Sequence, residues 1–298
     1  MEILSEPNHS GPGQTYDEWI ASRLSAIGQA EGRSFFWIVD GCADPDLLRL
    51  IKTTRETETW PLYMNTYLDK VRDAGPWFIR HQSGADLIHR LIRRMEQTPL
   101  GFLAVVRRGD EEILFDHLQL ILECSMPDGG EGVFRYYDPR VLYGLNSFSD
   151  PEFMRLVCGP AMAIHFWEPG RSKPLSFQPE PGNYTPPAAP ARLTTELIDH
   201  LWLEAQVHTI ISTLGGEYGG KLRKMELPSA YGFVDGIRKL LSGTCYKSNQ
   251  DVAFATALAI AEGLDYVKKI RKCLINQTPA ESLEEVCRQI DMICNEAY

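Results

Sequence analysis

Strand-like and helix-like segments alternate through the first half of this chain, and a proline-rich stretch then separates them from a run of helical periodicity. Phe35–Val39, Trp77–Ile79, Gly101–Val106, Val133–Tyr137 and Ala161–Trp167 are short, aromatic or β-branched runs, the composition of packed strands. Between them lie amphipathic segments: Ala85–Met95 repeats apolar residues at helical spacing through Leu87, Ile88, Leu91 and Ile92, and Glu111–Cys124 does so through Leu114, Leu118, Ile121 and Leu122. Alternation of this kind predicts an α/β (α+β) lobe, with a mixed sheet of roughly five strands and flanking helices. No glycine-rich turn follows any of the strands, which argues against a dinucleotide-binding strand order.

The expected organisation is a tail over residues 1–14, an α/β domain over 15–168, a linker over 169–191 and a helical lobe over 192–298. The linker reading rests on Pro169, Pro174, Pro179, Pro181, Pro186, Pro187 and Pro190, with few apolar anchors among them. In the helical lobe, Leu193–Leu214 follows a cap at Thr194 or Thr195 and stops at Gly215-Gly216. Tyr231–Leu241 and a helix capped by Asn249 come next. Thr278-Pro279-Ala280-Glu281 combines a capping box with proline at the first helical position, opening a helix that runs through Ala297.

With 44% hydrophobic and 23% charged residues the chain has the balance of a globular protein. A net charge of −10 without a basic region argues against nucleic acid as a partner. Seven cysteines, odd in number and without a CxxC pair, fit small buried side chains in a reducing compartment. No secretory leader and no apolar run of membrane-spanning length is present, so a soluble, cytoplasmic protein without membrane insertion is expected.

Catalytic patterns are sparse. The seven histidines form no HxxxH or HExxH pair, so no metal and no cofactor are expected. A Cys158, His165 and Asp150 trio can be written down, but closeness in sequence is not geometry. Gly215-Gly216-Glu217-Tyr218-Gly219-Gly220-Lys221 lacks the serine or threonine and the preceding strand of a phosphate-binding loop, and reads as a loop or helix end. Lys268-Lys269-Ile270-Arg271-Lys272 reads as the solvated face of a helix. Binding is thereby favoured over chemistry, and the chain is not expected to be an enzyme.

The segment Val133-Phe134-Arg135-Tyr136-Tyr137-Asp138-Pro139-Arg140-Val141-Leu142 stands apart. As a strand running into a helix, it places Asp138 at the cap and Pro139 at the first helical position, where its missing N–H costs nothing. Asp44-Pro45 and Asp150-Pro151 repeat that chemistry. Arg135 would share a strand face with Val133 and Tyr137, and so should be paired rather than merely solvated.

Taken in order, Val39-Asp40-Gly41, Gly75-Pro76-Trp77, Phe115-Asp116-His117-Leu118 and Phe134 to Leu142 resemble the effector adaptor-chaperones of type VI secretion systems, over about residues 33 to 168. The N-terminal domain of that family has long been catalogued as a domain of unknown function. The resemblance implies a non-catalytic adaptor that binds a cognate toxic effector protein in the cytoplasm, at its N-terminal or PAAR-like region. It also implies help in loading that effector onto the spike protein, the valine-glycine-repeat trimer. Arg135, Tyr137, Asp138, Arg140 and Trp77 are then the candidate residues, either fixing a strand-to-helix junction or contributing to a partner groove between the lobes. The helical lobe, which resembles the family only loosely, is expected to set effector choice. The alternatives are a toxin-neutralising immunity or scaffold protein and, further off, a hydrolase dependent on Cys158 or an acid pair.

Overall fold

The structure, a computed structural model, describes residues 15–29, 31–180, 184–187, 190–242, 244–274 and 283. The tail expected over 1–14, and the terminal helix apart from Leu283, lie outside the described residues. The chain forms two compact units, Met1–Trp202 and Leu203–Tyr298.

The first unit opens with α1 (Tyr16–Gln29), β1 (Arg33–Asp40), α2 (Pro45–Thr53), β2 (Thr59–Pro61) and a 3-10 turn at Asp69–Ala74. Next come β3 (Pro76–Arg80), α3 (Asp86–Met95), β4 (Gly101–Arg107), α4 (Glu111–Leu120), β5 (Glu123–Ser125) and β6 (Glu131–Val133). It continues with α5 (Pro139–Ser147), α6 (Glu152–Cys158), β7 (Ala163–Glu168), β8 (Lys173–Phe177) and β9 (Ala191–Arg192). Helix α7 (Thr195–Thr213) begins in this unit and ends in the next.

The main sheet has six strands in the order β2-β3-β1-β4-β7-β8, every pair antiparallel, and β6-β5-β9 form a small second sheet. A mixed α/β first unit is therefore correct, whereas a mixed main sheet of five strands is not. Strand–helix–strand alternation suggests parallel neighbours, and β3 and β4, joined through α3, do run parallel to each other. But β1 lies between them and pairs antiparallel with both, the split form of the βαβ unit. The sixth strand is β8, inside the stretch expected as a linker; Pro174 is tolerated there because β8 is an edge strand, whose outward N–H positions need no partner.

Alternate residues feed two cores. Phe36, Ile38, Phe78, Phe102, Ala104, Ile164 and Phe166 pack on one face with α4, α5 and α6 side chains such as Leu118, Leu142 and Met154. Trp37, Val39, Trp77, Ile79, Leu103 and Trp167 pack on the other with α1, α2 and α3, through Trp19, Leu47, Ile51, Leu87 and Leu91.

The described part of the second unit is helical: α8 (Gly216–Arg223), α9 (Leu227–Leu241), α10 (Asn249–Glu262) and α11 (Leu264–Leu274). Its core includes Val207, Ile210, Leu222, Val234, Ile237, Val252 and Val267. Two local expectations change. Ser248, not Asn249, caps α10: its Oγ accepts from the Asp251 N–H at 3.2 Å, and the Asp251 carboxylate answers the Ser248 N–H at 3.0 Å. The glycine-rich stretch from Gly216 is a short helix rather than a loop. No helix among the described residues is long and apolar enough to cross a membrane.

Candidate functional site

The sheet end formed by the C-termini of β1 and β7 and the N-termini of β3 and β4 gathers most of the residues singled out from sequence. The expected strand Val133–Tyr137 stops at Val133. Residues 135–138 instead form a turn closed by the Asp138 N–H on the Arg135 carbonyl at 3.1 Å. Aromatic composition is shared by packed strands and buried turns, and here Phe134, Tyr136 and Tyr137 are buried without a ladder. Arg135 stays on the exposed side with Val133, its guanidinium lying over the Tyr137 ring, and it is Tyr137 that the turn buries.

Arg135 is nevertheless paired. Its Nη2 donates to Asp40 Oδ2 at 2.6 Å, and its guanidinium lies 5.6 Å from the centre of the Tyr137 ring. Asp40 shares the sheet face of Phe36 and Ile38, and its other oxygen accepts from the Cys42 N–H at 2.9 Å. Burial pushes the Asp40 carboxyl above its ordinary pKa, an effect that the Cys42 N–H and Arg135 only partly offset. Burial works against the Arg135 charge too, yet Tyr137, Asp40 and Asp138 outweigh it and hold its proton more tightly.

Asp138 caps α5 as expected, accepting from the Arg140 N–H at 2.9 Å, with Pro139 at the first helical position. The Arg140 side chain folds back onto the same carboxylate, with Nε at 2.9 and 3.1 Å from its two oxygens and Nη2 at 2.6 Å. That hydrogen bonding raises the Arg140 pKa, with Glu168 at the end of β7 adding to the effect. Glu168 is fully buried; it caps the turn Pro169–Arg171 through the Gly170 and Arg171 N–H groups at 3.2 and 2.7 Å.

Two glycines bring the remaining pieces together. The Gly41 N–H donates to the Gly75 carbonyl at 3.0 Å, and a Cβ on Gly75 would lie 2.4 Å from the Tyr63 ring. Tyr63 thus closes over the start of β3, where its hydroxyl meets that of Tyr137 at 3.2 Å. Burial raises the Tyr137 phenol far above its ordinary range, keeping the pair neutral.

Arg135, Tyr137, Asp138 and Arg140 therefore meet at one place. Trp77 does not join them: it packs into the opposite face of the sheet, its Nε1 donating to the Asp73 carbonyl at 3.3 Å. Sequence reasoning left out Asp40 and Tyr63 as members of this cluster. A carboxylate closing the apolar run Phe35–Val39 demands a buried partner, and that signal was readable for Asp40. Nothing local marks Tyr63.

Chemically, the cluster is a set of fixed carboxylates that hold two guanidiniums half in water, the Arg135 side chain being 49% exposed. Among the described residues, Nε and Nη1 of Arg135 make no hydrogen bond, leaving them to donate to a carboxylate or carbonyl on a docked molecule.

The other candidates are dispersed. Cys158 Sγ donates to the Ala161 carbonyl, His165 Nδ1 meets Ser176 Oγ at 2.8 Å, and Asp150 accepts from the Glu152 N–H, so that trio does not assemble. Burial raises the Cys158 thiol to about 12 and lowers His165 to about 3. His117, in the quoted helix motif, is tied to Tyr184 and to the Leu156 carbonyl, both at 2.8 Å. Among the described residues no group of three histidine, cysteine or acidic side chains could hold a metal ion.

Residues 35–155 match the profile of a family described as "Domain of unknown function (DUF4123)". That span contains the Asp40, Gly75 and Arg135–Arg140 cluster. No curated protein matches the chain, and no solved structure does.

Proposed function

We propose that this protein is a non-catalytic adaptor-chaperone that captures a toxic effector in the bacterial cytoplasm and helps mount it on the type VI secretion spike. The single observation that carries the reading is the convergence of motif residues, distant in sequence, on one sheet end. Asp40-Gly41, Gly75-Pro76 and Arg135 to Arg140 hold one another in place there. The family match over 35–155 supports it, because it covers most of the stretch on which the resemblance to such adaptors rests. Half-exposed Arg135, backed by buried Asp40, is the group in the cluster best placed to meet an effector segment. The helical part, from about residue 190 onward, sets which effector is taken.

The test is co-purification of the chain with the toxin encoded beside it, and of both with the spike trimer. A ternary complex that depends on this chain is expected. Replacing residues 190–298 by those of a similar adaptor should change the effector retained. Arg135→Ala should cut effector capture at least tenfold while the protein stays folded; capture unchanged by that variant would remove the sheet end from the interface. Protection of cells from the toxin without its export would favour an immunity protein instead.

A further inference from the structure

The opposite end of the main sheet, where β1 begins and β3 and β4 end, holds a cleft of about 340 Å³ lined by Arg33, Ser34, Arg80, His81, Arg108 and Glu111, among others. We infer that this cleft is a binding site for a phosphate group, separate from the Asp40–Arg135 cluster and independent of effector capture.

The charge around it is unbalanced in a direction opposite to that of the chain as a whole, which carries −10. Arg33 stands directly across from Arg107 in the β1–β4 register, and like charges so opposed destabilise a sheet unless something neutralises them. Among the described residues neither of these arginines, nor Arg108, has a carboxylate within 4 Å. Arg80 is already answered by Glu58 at 2.5 Å. Glu111, the acid inside the cleft, accepts from the Ser34 hydroxyl and the Gly109 N–H, each at 2.6 Å; these bonds and the nearby Arg80 keep it ionised, so it offsets one positive charge and still leaves Arg33 and Arg108 in excess.

Neutral donors add to this set. The indole N–H of Trp37 donates to His81 Nδ1 at 3.2 Å, and burial lowers the His81 pKa, so the neutral ring carries its proton on Nε2. Nε2 lies 3.4 Å from the Ser83 hydroxyl, which also lines the cleft. Arg33 from the start of β1, Arg108 from beyond β4 and the Ser83 hydroxyl therefore line the cleft together, while Arg80 stays on Glu58 over the Phe36 ring and the His81 N–H is directed to Ser83. Donors arriving from separate directions suit the three or four acceptor oxygens of a tetrahedral phosphate better than the two of a planar carboxylate.

Isothermal titration with inorganic phosphate, with phenyl phosphate and with acetate, each at ionic strength matched with sodium chloride, tests the inference. Saturable binding of either phosphate compound is expected, weakened at least tenfold in the Arg33→Gln/Arg108→Gln double variant and measurably in Arg108→Gln alone. Arg49→Gln, the same single charge change as Arg108→Gln but on exposed α2, should leave it unaltered. Tighter binding of inorganic phosphate identifies the free anion as ligand, and tighter binding of the ester identifies a phosphorylated small molecule. No binding beyond the chloride control, equal binding of acetate, or undiminished binding in the double variant would overturn the inference.

Discussion

The two ends of the main sheet use arginine in opposite ways. Where β1 ends, Arg135 and Arg140 come in from a turn and a helix start to meet carboxylates already fixed by backbone N–H groups. Where β1 begins, Arg33, Arg107 and Arg108 sit on and just beyond strand ends, and the nearby Glu111, bonded to Ser34 and Gly109, offsets only one of their charges. The first arrangement closes on itself and stabilises a junction. The second leaves charge unmet and so has affinity to give to a ligand. An arginine's role is set by what its neighbouring carboxylate is already bonded to.

The comparison breaks most visibly at Asp138. Asp138→Ala removes a helix cap and the two-oxygen partner of Arg140, and should cost about 3 kcal/mol in urea denaturation at pH 7. A loss below about 1 kcal/mol would mean the paired end is not structural.

His165, in the strand between the two ends, offers a test through pH. Its imidazole is held neutral with a pKa of about 3, against about 6.5 when unfolded. The unfolded chain therefore binds the extra proton first. The stability is fully present above pH 6.5 and is lost as pH falls toward 3, by about 1.4 kcal/mol per unit for this group. His165→Gln should flatten that part of the stability–pH curve, and an unchanged slope would refute the assignment.

Arg135→Ala should cost about 1 kcal/mol, since the partner left behind, Asp40, keeps its bond to the Cys42 N–H while half of Arg135 was in water. The smallest effect has the opposite sign. Arg33→Gln or Arg107→Gln should leave stability unchanged or raise it by about 0.5 kcal/mol through relieved repulsion. That gain should vanish in 1 M salt, where screening removes the repulsion in the wild type as well. A clear destabilisation would show that the unmatched end is not unmatched.

What was legible in the sequence was local chemistry. Asp138-Pro139 and Asp44-Pro45 start helices because a short carboxylate and a missing N–H act within three residues of each other. The apolar face of α3 follows from period alone, whereas the helix expected over Glu111–Cys124 stops at Leu120: Leu114 and Leu118 lie on α4, Ile121 and Leu122 fall in the turn after it, and Cys124 belongs to β5. Long-range consequences were not legible. That Arg135 needed a partner could be read from its surroundings, but the partner lies in another strand, and the turn that carries Arg135 was masked by aromatic residues equally at home in a strand. The antiparallel order escaped because β1 fills the gap between β3 and β4, which no feature of either strand announces. β8 escaped because prolines were read as a linker, when an edge strand also accepts them.

The bond between Asp40 and Arg135 joins residues 95 positions apart. A contact that must wait for so long a loop to close belongs to the late part of folding, after the strands around β1 have found their places. Its removal should accordingly leave the folding rate nearly untouched and speed unfolding, as interactions absent from the transition state do. The pair acts as a latch on a structure already built, lengthening the native lifetime of the sheet end without helping to assemble it.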